Sequence, residues 1–257
     1  MPLAIVRGGG DLATGVVYRL WKAGFSVLVL EIRYPTVIRR AVSVAQAIFD
    51  SVHTVGGMTA RRIVSAGDLP GDGSIGVLVD PEGASIGVLK PDLLVDAIMA
   101  KKNCGTFKSM APRVVALGPG FSAPEEVHAV VETLRGHDLG RVITNGTAAP
   151  DTGNPGEVGG ETSGRLLRSP AEGRVSGEVL IGDRVEAGQV VCRVGGISVR
   201  SEIGGVVRGL IHSQVPAFAG MKIGDVDPRA VRENCFSISD KSLAVAGGVL
   251  EAAFMVQ

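Results

Sequence analysis

Aromatic side chains are scarce in this 257-residue chain, at 4% of the sequence with a single Trp. A surface that holds single-stranded nucleic acid by base stacking needs such rings in number, so that class is excluded. Neither sign of charge is in excess: Lys and Arg total 26, and Asp and Glu total 26. No polybasic run occurs, which removes nucleic acid and anionic membrane as the main partner. No apolar stretch approaches the roughly 18 residues of a membrane helix. Arg7 and Asp11 interrupt the apolar opening, so no secretory leader is expected. Cys104, Cys192 and Cys235 are widely spaced, with no C-x-x-C pair and no disulfide framework. A reducing, cytoplasmic setting is therefore expected. No Ser/His/Asp or Cys/His spacing can be read, and no His- or carboxylate-rich metal site is expected.

Glycine, by contrast, is abundant, at 37 residues, and its most informative use is near the start. Leu3-Ala4-Ile5-Val6 reads as a buried strand that breaks into Gly8, Gly9 and Gly10. Leu12, Val16, Leu20 and Trp21 then recur at helical spacing, and Phe25 to Leu30 reads as a second strand ending at Glu31. This order of strand, glycine turn, helix, strand and acid places a dinucleotide pyrophosphate on a helix N-terminus. Gly8-Gly9-Gly10-Asp11-Leu12-Ala13 matches G-x-G-x-x-A, and Glu31 stands 23 residues after Gly8, where an acid bonds a ribose hydroxyl. Asp11 would repel a pyrophosphate unless it turns away or caps the helix. A tight structural turn that binds nothing is the competing reading.

Further along, the spacing predicts helices over 37–49, 91–102 and 124–135, strands over 75–80 and 113–117, and a plain loop over 67–73. Gly118-Pro119-Gly120 repeats the strand-to-glycine pattern, so two glycine turns are expected to face one crevice. The stretch 144–164 is polar and turn-rich, a linker or a cover for that crevice. The fold class expected is α/β: a Rossmann-like parallel-sheet domain over 1–165, a small all-β module over 166–232, and a C-terminal segment, 233–257, returning to the sheet.

The module repeats at an offset of 32 residues: Ser169 matches Ser201, Gly173 matches Gly205, Val175 matches Val207, Gly188 matches Gly220 and Val191 matches Ile223. Each half resembles half of a biotinyl/lipoyl-type barrel-sandwich hybrid. Carrier domains of that kind hold a modified Lys on the hairpin between halves. Here that hairpin, Arg193 to Ser198, has none, and Met221-Lys222 aligns elsewhere. No biotin or lipoyl group is expected, and the module reads as a docking or lid element.

Five stretches together resemble the accessory proteins of selenium-dependent molybdenum hydroxylases. They are Arg7 to Gly15, Leu117 to Phe121, Glu132 to His137, Met221 to Arg229 and Ile238 to Lys241. The Rossmann-like part also resembles xanthine dehydrogenase accessory factors. The resemblance implies maturation or insertion of a molybdenum cofactor, with a nucleotide or molybdopterin-type ligand. It implies a hydroxylase apoprotein or a cofactor-maturation protein as partner; a homo-oligomer is open. Gly8, Gly9, Gly10, Asp11, Glu31, Gly118, Pro119 and Gly120 are the expected ligand-binding residues, with Arg39 and Arg40 as phosphate contacts or a solvated helix face. Cys235 is the candidate reactive thiol, its thiolate favoured by Arg232 or Lys241. His137 is the candidate base or phosphate contact. Two other readings remain: an NAD(P)-dependent oxidoreductase, and a non-catalytic docking scaffold.

Overall fold

The computed structural model describes residues 1–151, 153 and 156–255; Thr152, Asn154 and Pro155 of the polar stretch, and the last two residues, lie outside the described set. The chain forms two units, one of Met1–Arg33, Ser43–Thr152 and Ile238–Gln257, the other of Tyr34–Val42 and Gly153–Ser237. This division differs from boundaries at 165 and 232. The polar stretch from 153 goes with the second unit, and the C-terminal helix goes with the first.

The first unit contains, in chain order, β1 (Leu3–Arg7), α1 (Asp11–Lys22), β2 (Ser26–Glu31), α2 (Ala47–Asp50), β3 (Val52–Val55), β4 (Met58–Ile63), β5 (Ile75–Val79) and α3 (Ala84–Leu89). It continues with β6 (Leu93–Asp96), β7 (Arg113–Leu117), β8 (Ser122–Ala123), β9 (Ala129–Val131), β10 (Val142–Ile143) and β11 (Gly146–Thr147). Nine strands make one sheet in the order β10-β9-β7-β6-β1-β2-β5-β4-β3, parallel except at its antiparallel edges, β3 and β10. Its central strands are unbroken aliphatic runs because both faces are covered. Ile5, Leu28, Leu94 and Val114 join Phe121, Val127 and Ile86 in one buried cluster.

Two expected helices are strands instead. Leu93-Leu94-Val95, inside the expected helix at 91–102, is β6, buried on both sides between β1 and β7. Pro91 imitates a helix start, but the short run of branched side chains is worth more between two strands. Val130-Val131, inside the expected helix at 124–135, is the core of β9 beside β7. The expected helix at 37–49 breaks into 3₁₀ turns at Arg40–Val42 and Val44–Gln46 and then the short α2.

The last helix, α4 (Asp240–Phe254), is capped by Ser239, whose hydroxyl accepts from the Ser242 amide. It packs along α1 by close backbone approach, a Cβ on Gly15 standing 2.5 Å from the Ser242 carbonyl, and it packs equally closely on the turn before β10, where a Cβ on Gly248 would overlap the Gly140 carbonyl.

The second unit is built from eight strands: β12 (Leu166–Arg168), β13 (Gly173–Gly177), β14 (Arg184–Val185), β15 (Val190–Val194), β16 (Ile197–Arg200), β17 (Gly205–Leu210), β18 (Pro216–Ala217) and β19 (Lys222–Asp227). They form two four-stranded sheets, β12-β19-β17-β14 and β16-β15-β13-β18. The repeat exchanges one sheet for the other. Gly173 pairs with Ala217 as Gly205 pairs with Val185, and Val175 pairs with Val194 as Val207 pairs with Val226. Ser169 and Ser201, both buried, each donate a 2.6 Å hydrogen bond to the carbonyl two residues on. Each half thus closes the other's sheet, which is why neither half can bury its apolar face alone.

The two adjacent glycines of α4 should respond oppositely to a methyl group. Gly247 has open space where a Cβ would stand, so Gly247→Ala should gain about 0.5–1 kcal/mol from helix propensity. Gly248→Ala should lose about 1–3 kcal/mol through overpacking. Denaturant unfolding of both variants checks the pair; equal effects would contradict the packing described.

Candidate functional site: the carboxyl ends of the central strands

β1 and β6 are neighbours, but the chain leaves β1 toward β2 on one side and returns to β6 after β5. Strand order reverses between them, and parallel sheets open a ligand crevice at such a point. The Gly8–Gly10 turn lies there, followed directly by α1.

The turn is engaged by its own chain. Gly8 takes φ +91°, a conformation that favours glycine, and donates to the Leu30 carbonyl at 2.8 Å. The Gly9 amide donates to Glu31 Oε1 at 2.7 Å, and the Ile32 amide donates to Oε2 at 2.9 Å. The Gly9 carbonyl accepts from the Ala45 amide at 3.0 Å. Thr14 Oγ1 donates to the Gly10 carbonyl at 2.8 Å and accepts from the Val44 amide at 3.0 Å. Glu31 is therefore a lock on the turn, each oxygen holding an amide, and burial pushes its carboxyl above the usual range although those bonds oppose the shift. Gly10 is the N-cap of α1 and Asp11 its first residue, where a carboxylate suits the helix dipole. The first-turn amides of α1 lie beyond the reach of any intrahelical carbonyl.

The second glycine turn follows β7. Gly118 is buried, Pro119 half-buried and Gly120 exposed. A Cβ on Gly118 would stand 2.6 Å from Thr133 Oγ1 and 3.4 Å from Met99 Cε; one on Gly120 would stand 2.6 Å from the Lys102 amide. A Cβ on Gly8 would meet the Ala97 carbonyl at 2.8 Å. One strap, residues 97–102, thus lies against both glycine turns. The glycines permit close approach, and the approaching group at each of these three positions is protein.

The strap is held by residues that sequence reasoning passed over. Arg7, Asp96 and Thr106 are all buried. Arg7 Nη1 donates to Thr106 Oγ1 at 2.7 Å, and that hydroxyl donates to Asp96 Oδ2 at 2.6 Å. Arg7 Nη2 reaches the carbonyls of Pro81 and Cys104 at 3.0 and 3.2 Å. One guanidinium therefore fastens both ends of the 97–106 segment. Burial pushes the Asp96 carboxyl up; Thr106, the Ile98 amide and Arg7 oppose this without reversing it. The signal was a charged residue closing each of two apolar strand runs, at Arg7 and at Asp96.

The candidate catalytic residues lie elsewhere. His137 is exposed on a turn, not after a helix, and its neighbour Asp138 is bonded to Arg141 at 2.7 Å. Cys235, in the second unit, is 1% exposed with its sulfur 3.7 Å from the Val207 carbonyl. Burial pushes its thiol up, and the nearby Arg208 only partly offsets this. Arg232 stacks on Phe236, 5.0 Å from the ring centre. Asp240 is bonded by Arg135 at 3.0 and 3.1 Å. The expectation of a reactive Cys235 thiolate is therefore corrected: the thiol is a buried, disfavoured acid. Burial also pushes Cys192 up, to about 11. Cys104 is the exposed cysteine. Arg39 and Arg40 belong to the second unit, where Arg39 bonds Asp225 at 2.7 Å and Arg40 bonds the Leu210 carbonyl at 3.0 Å. Among the described residues, no group of three or more His, Cys, Asp and Glu side chains is placed to hold a metal. None of their helices is long and apolar enough to cross a membrane.

Arg7→Met should cost about 3–5 kcal/mol at neutral pH by leaving the Asp96 charge buried and uncompensated. Because the folded pKa of Asp96 already lies above its unfolded value, its contribution favours the folded state at low pH and is lost as pH rises. Without Arg7 that pKa rises further, so the deficit of Arg7→Met should shrink as pH falls toward 4; a pH-independent deficit would contradict the clamp. Native-state alkylation should label Cys104 first, with Cys192 and Cys235 reacting only on unfolding. Early labelling of Cys235 would restore it as a nucleophile.

No family model matches the chain. It is 47% identical over 257 residues to an Escherichia coli protein described as uncharacterized protein YqeB, across 99% of this chain and 48% of that protein. The chain thus spans about half the length of that relative. Two solved structures align with 88% of the chain and 84% of their own: an aspartoacylase family protein from Mesorhizobium loti at 8% identity, and the ectoine utilization protein EutE (DoeB) from Ruegeria pomeroyi at 13% identity. Both have TM-scores of 0.27 and carry neither fold nor function to this chain.

Proposed function

We propose that this chain is a cytoplasmic accessory protein for maturation or insertion of a molybdenum cofactor in selenium-dependent molybdenum hydroxylases. Its first unit is read as a Rossmann-like platform for an anionic, nucleotide-like or molybdopterin-type ligand. Its second unit is read as a barrel-sandwich hybrid that docks a hydroxylase apoprotein or a cofactor-maturation protein. The five stretches named above support the family reading. The observation that carries the ligand reading is the start of α1 at the strand-order reversal between β1 and β6.

The residues fit an anion there better than they fit a complete dinucleotide. The first-turn amides of a 12-residue helix suit a phosphate. A ribose clamp fits poorly, because Glu31 already holds the Gly9 and Ile32 amides. Close approach of a pyrophosphate to Gly8 or Gly120 meets the strap. The oxidoreductase reading is weakened by the same facts, since it needs the nicotinamide dinucleotide in full. The ligand reading therefore narrows to a terminal phosphate or a pterin phosphate seated at Gly10 and Leu12.

Mass spectrometry of molecules retained by the purified protein, followed by calorimetry with NAD(P), ATP, CTP and molybdopterin species, tests this. Binding of a phosphate-bearing ligand is expected, and Gly10→Val should abolish it while leaving the fold intact. Absence of affinity for all of them would overturn the ligand reading.

A further inference from the structure

The two sheets of the second unit end in four edge strands, β12 and β14 on one sheet and β16 and β18 on the other. An edge strand leaves backbone N–H and C=O groups without a ladder partner, and proteins blunt such edges by shortening them or by placing proline on them. β14 and β18 are blunted in this way: each has two residues, and β18 opens with Pro216. β12 (Leu166–Arg168) and β16 (Ile197–Arg200) are longer and carry no proline.

Residues of an antiparallel strand turn their backbone groups alternately toward and away from a given neighbour. The Ser201 amide donates to the Gln189 carbonyl and the Ser201 carbonyl accepts from the Gly188 amide, so Ser201, Val199 and Ile197 turn toward β15. Ser198 and Arg200 therefore turn theirs outward. On β12 the Arg165 carbonyl accepts from the Val226 amide and the Ser169 amide donates to the Met221 carbonyl, which turns Leu167 toward β19 as well. Leu166 and Arg168 turn outward. The two outward pairs are related by the repeat, Leu166 matching Ser198 and Arg168 matching Arg200. All four residues line one cavity of about 420 Å³, together with Pro170 and Glu202. Glu202, just past β16, brings its Oε2 within 3.6 Å of where a Cβ on Gly164, just before β12, would stand. The end of β16 thus lies beside the start of β12, and the two open edges flank one groove.

The charges on the groove select among occupants. Arg168 Nη1 donates to the Gly220 carbonyl at 2.9 Å, and Arg200 Nη1 donates to the Gly188 carbonyl at 2.8 Å, the same bond in each half. Each guanidinium is fixed by one nitrogen and has further donors for another acceptor. Two arginines against Glu202 leave the lining positive. A second copy of this edge would set arginine against arginine, whereas an acidic strand would find opposite charge.

We propose that this groove takes an extended, acidic segment of a partner protein as an added β-strand. The segment pairs along β16, exchanging N–H and C=O bonds with Ser198 and Arg200, and its carboxylates meet Arg168 and Arg200. The proposal deepens the docking role of the second unit and rests on that reading; it uses no residue of the first unit.

Fluorescence anisotropy on the full chain tests it, with three labelled probes: a short peptide of alternating Val and Glu, the same peptide with Lys in place of Glu, and the Glu peptide N-methylated at alternate amides. Saturable one-to-one binding of the Glu peptide is expected, with the other two weaker by about tenfold or more. Ser198→Pro removes an outward donor at a position where an edge strand tolerates proline, and should weaken the Glu peptide by about tenfold. Arg168→Gln, which leaves the backbone intact, should weaken it by a similar factor. Arg184→Gln, on the blunted β14, should change nothing, and circular dichroism checks that each variant folds. No saturable binding, equal affinity for the Lys peptide, or indifference to N-methylation or to Ser198→Pro in the folded variant would overturn the proposal. Self-association that Ser198→Pro abolishes would assign the edge to a second copy and overturn it too. Equal capture of a hydroxylase apoprotein by wild type and Ser198→Pro would overturn the groove and leave the docking reading standing. Peptide binding without any such capture would keep the groove and remove the docking reading.

Discussion

The Arg7 guanidinium governs how the first unit is built. It stands at the end of β1, at the reversal of strand order, and is buried with Thr106 and Asp96. A buried charge must be bonded on every side to be tolerated, and here the groups that satisfy it come from two separate loops, one at Pro81 and one at Cys104 and Thr106. Satisfying Arg7 therefore determines where those loops run. The strap between Asp96 and Thr106 follows, and with it the filling of the space before Gly8 and Gly120. Glu31 completes the closure from the β2 side by holding the Gly9 amide. What remains for a ligand is the start of α1.

The second unit follows a different rule. Its two halves exchange strands so that every pairing in one sheet has a counterpart in the other. Symmetry of this kind separates what the fold needs from what has been added. Paired serines, matching turns and alternating valines occur in both halves and serve closure. The carboxylates of β19 and the bulge at Arg208 occur in one half only.

The first β-α-β unit was legible because its three signals agree: an aliphatic run, a glycine break and helical spacing from Leu12 to Leu20. The 32-residue repeat was legible for the same reason, since glycines and valines recur in register. β6 and β9 were misread because three or four branched residues do not reveal whether a strand or a helix will bury them. Only the neighbouring strands, β1 and β7, decide that. Glu31 was placed correctly at a strand end, but its role depends on whether a ligand or the chain's own amide reaches it first. Cys235 was misjudged because nearby cations in sequence say nothing about burial. The Arg7 clamp joins residues far apart in sequence, so no local pattern reveals it.

The central claim is that the switch-point crevice is closed by the chain itself, through Glu31 on Gly9 and through the strap. Residue-resolved amide hydrogen exchange on the ligand-free protein tests this most directly. The account predicts that the Gly9 and Ile32 amides exchange only through global unfolding, as slowly as the amides of β1 and β6. Exchange of Gly9 at the rate of an unstructured peptide, with β1 still protected, would contradict it and leave the glycine turn open.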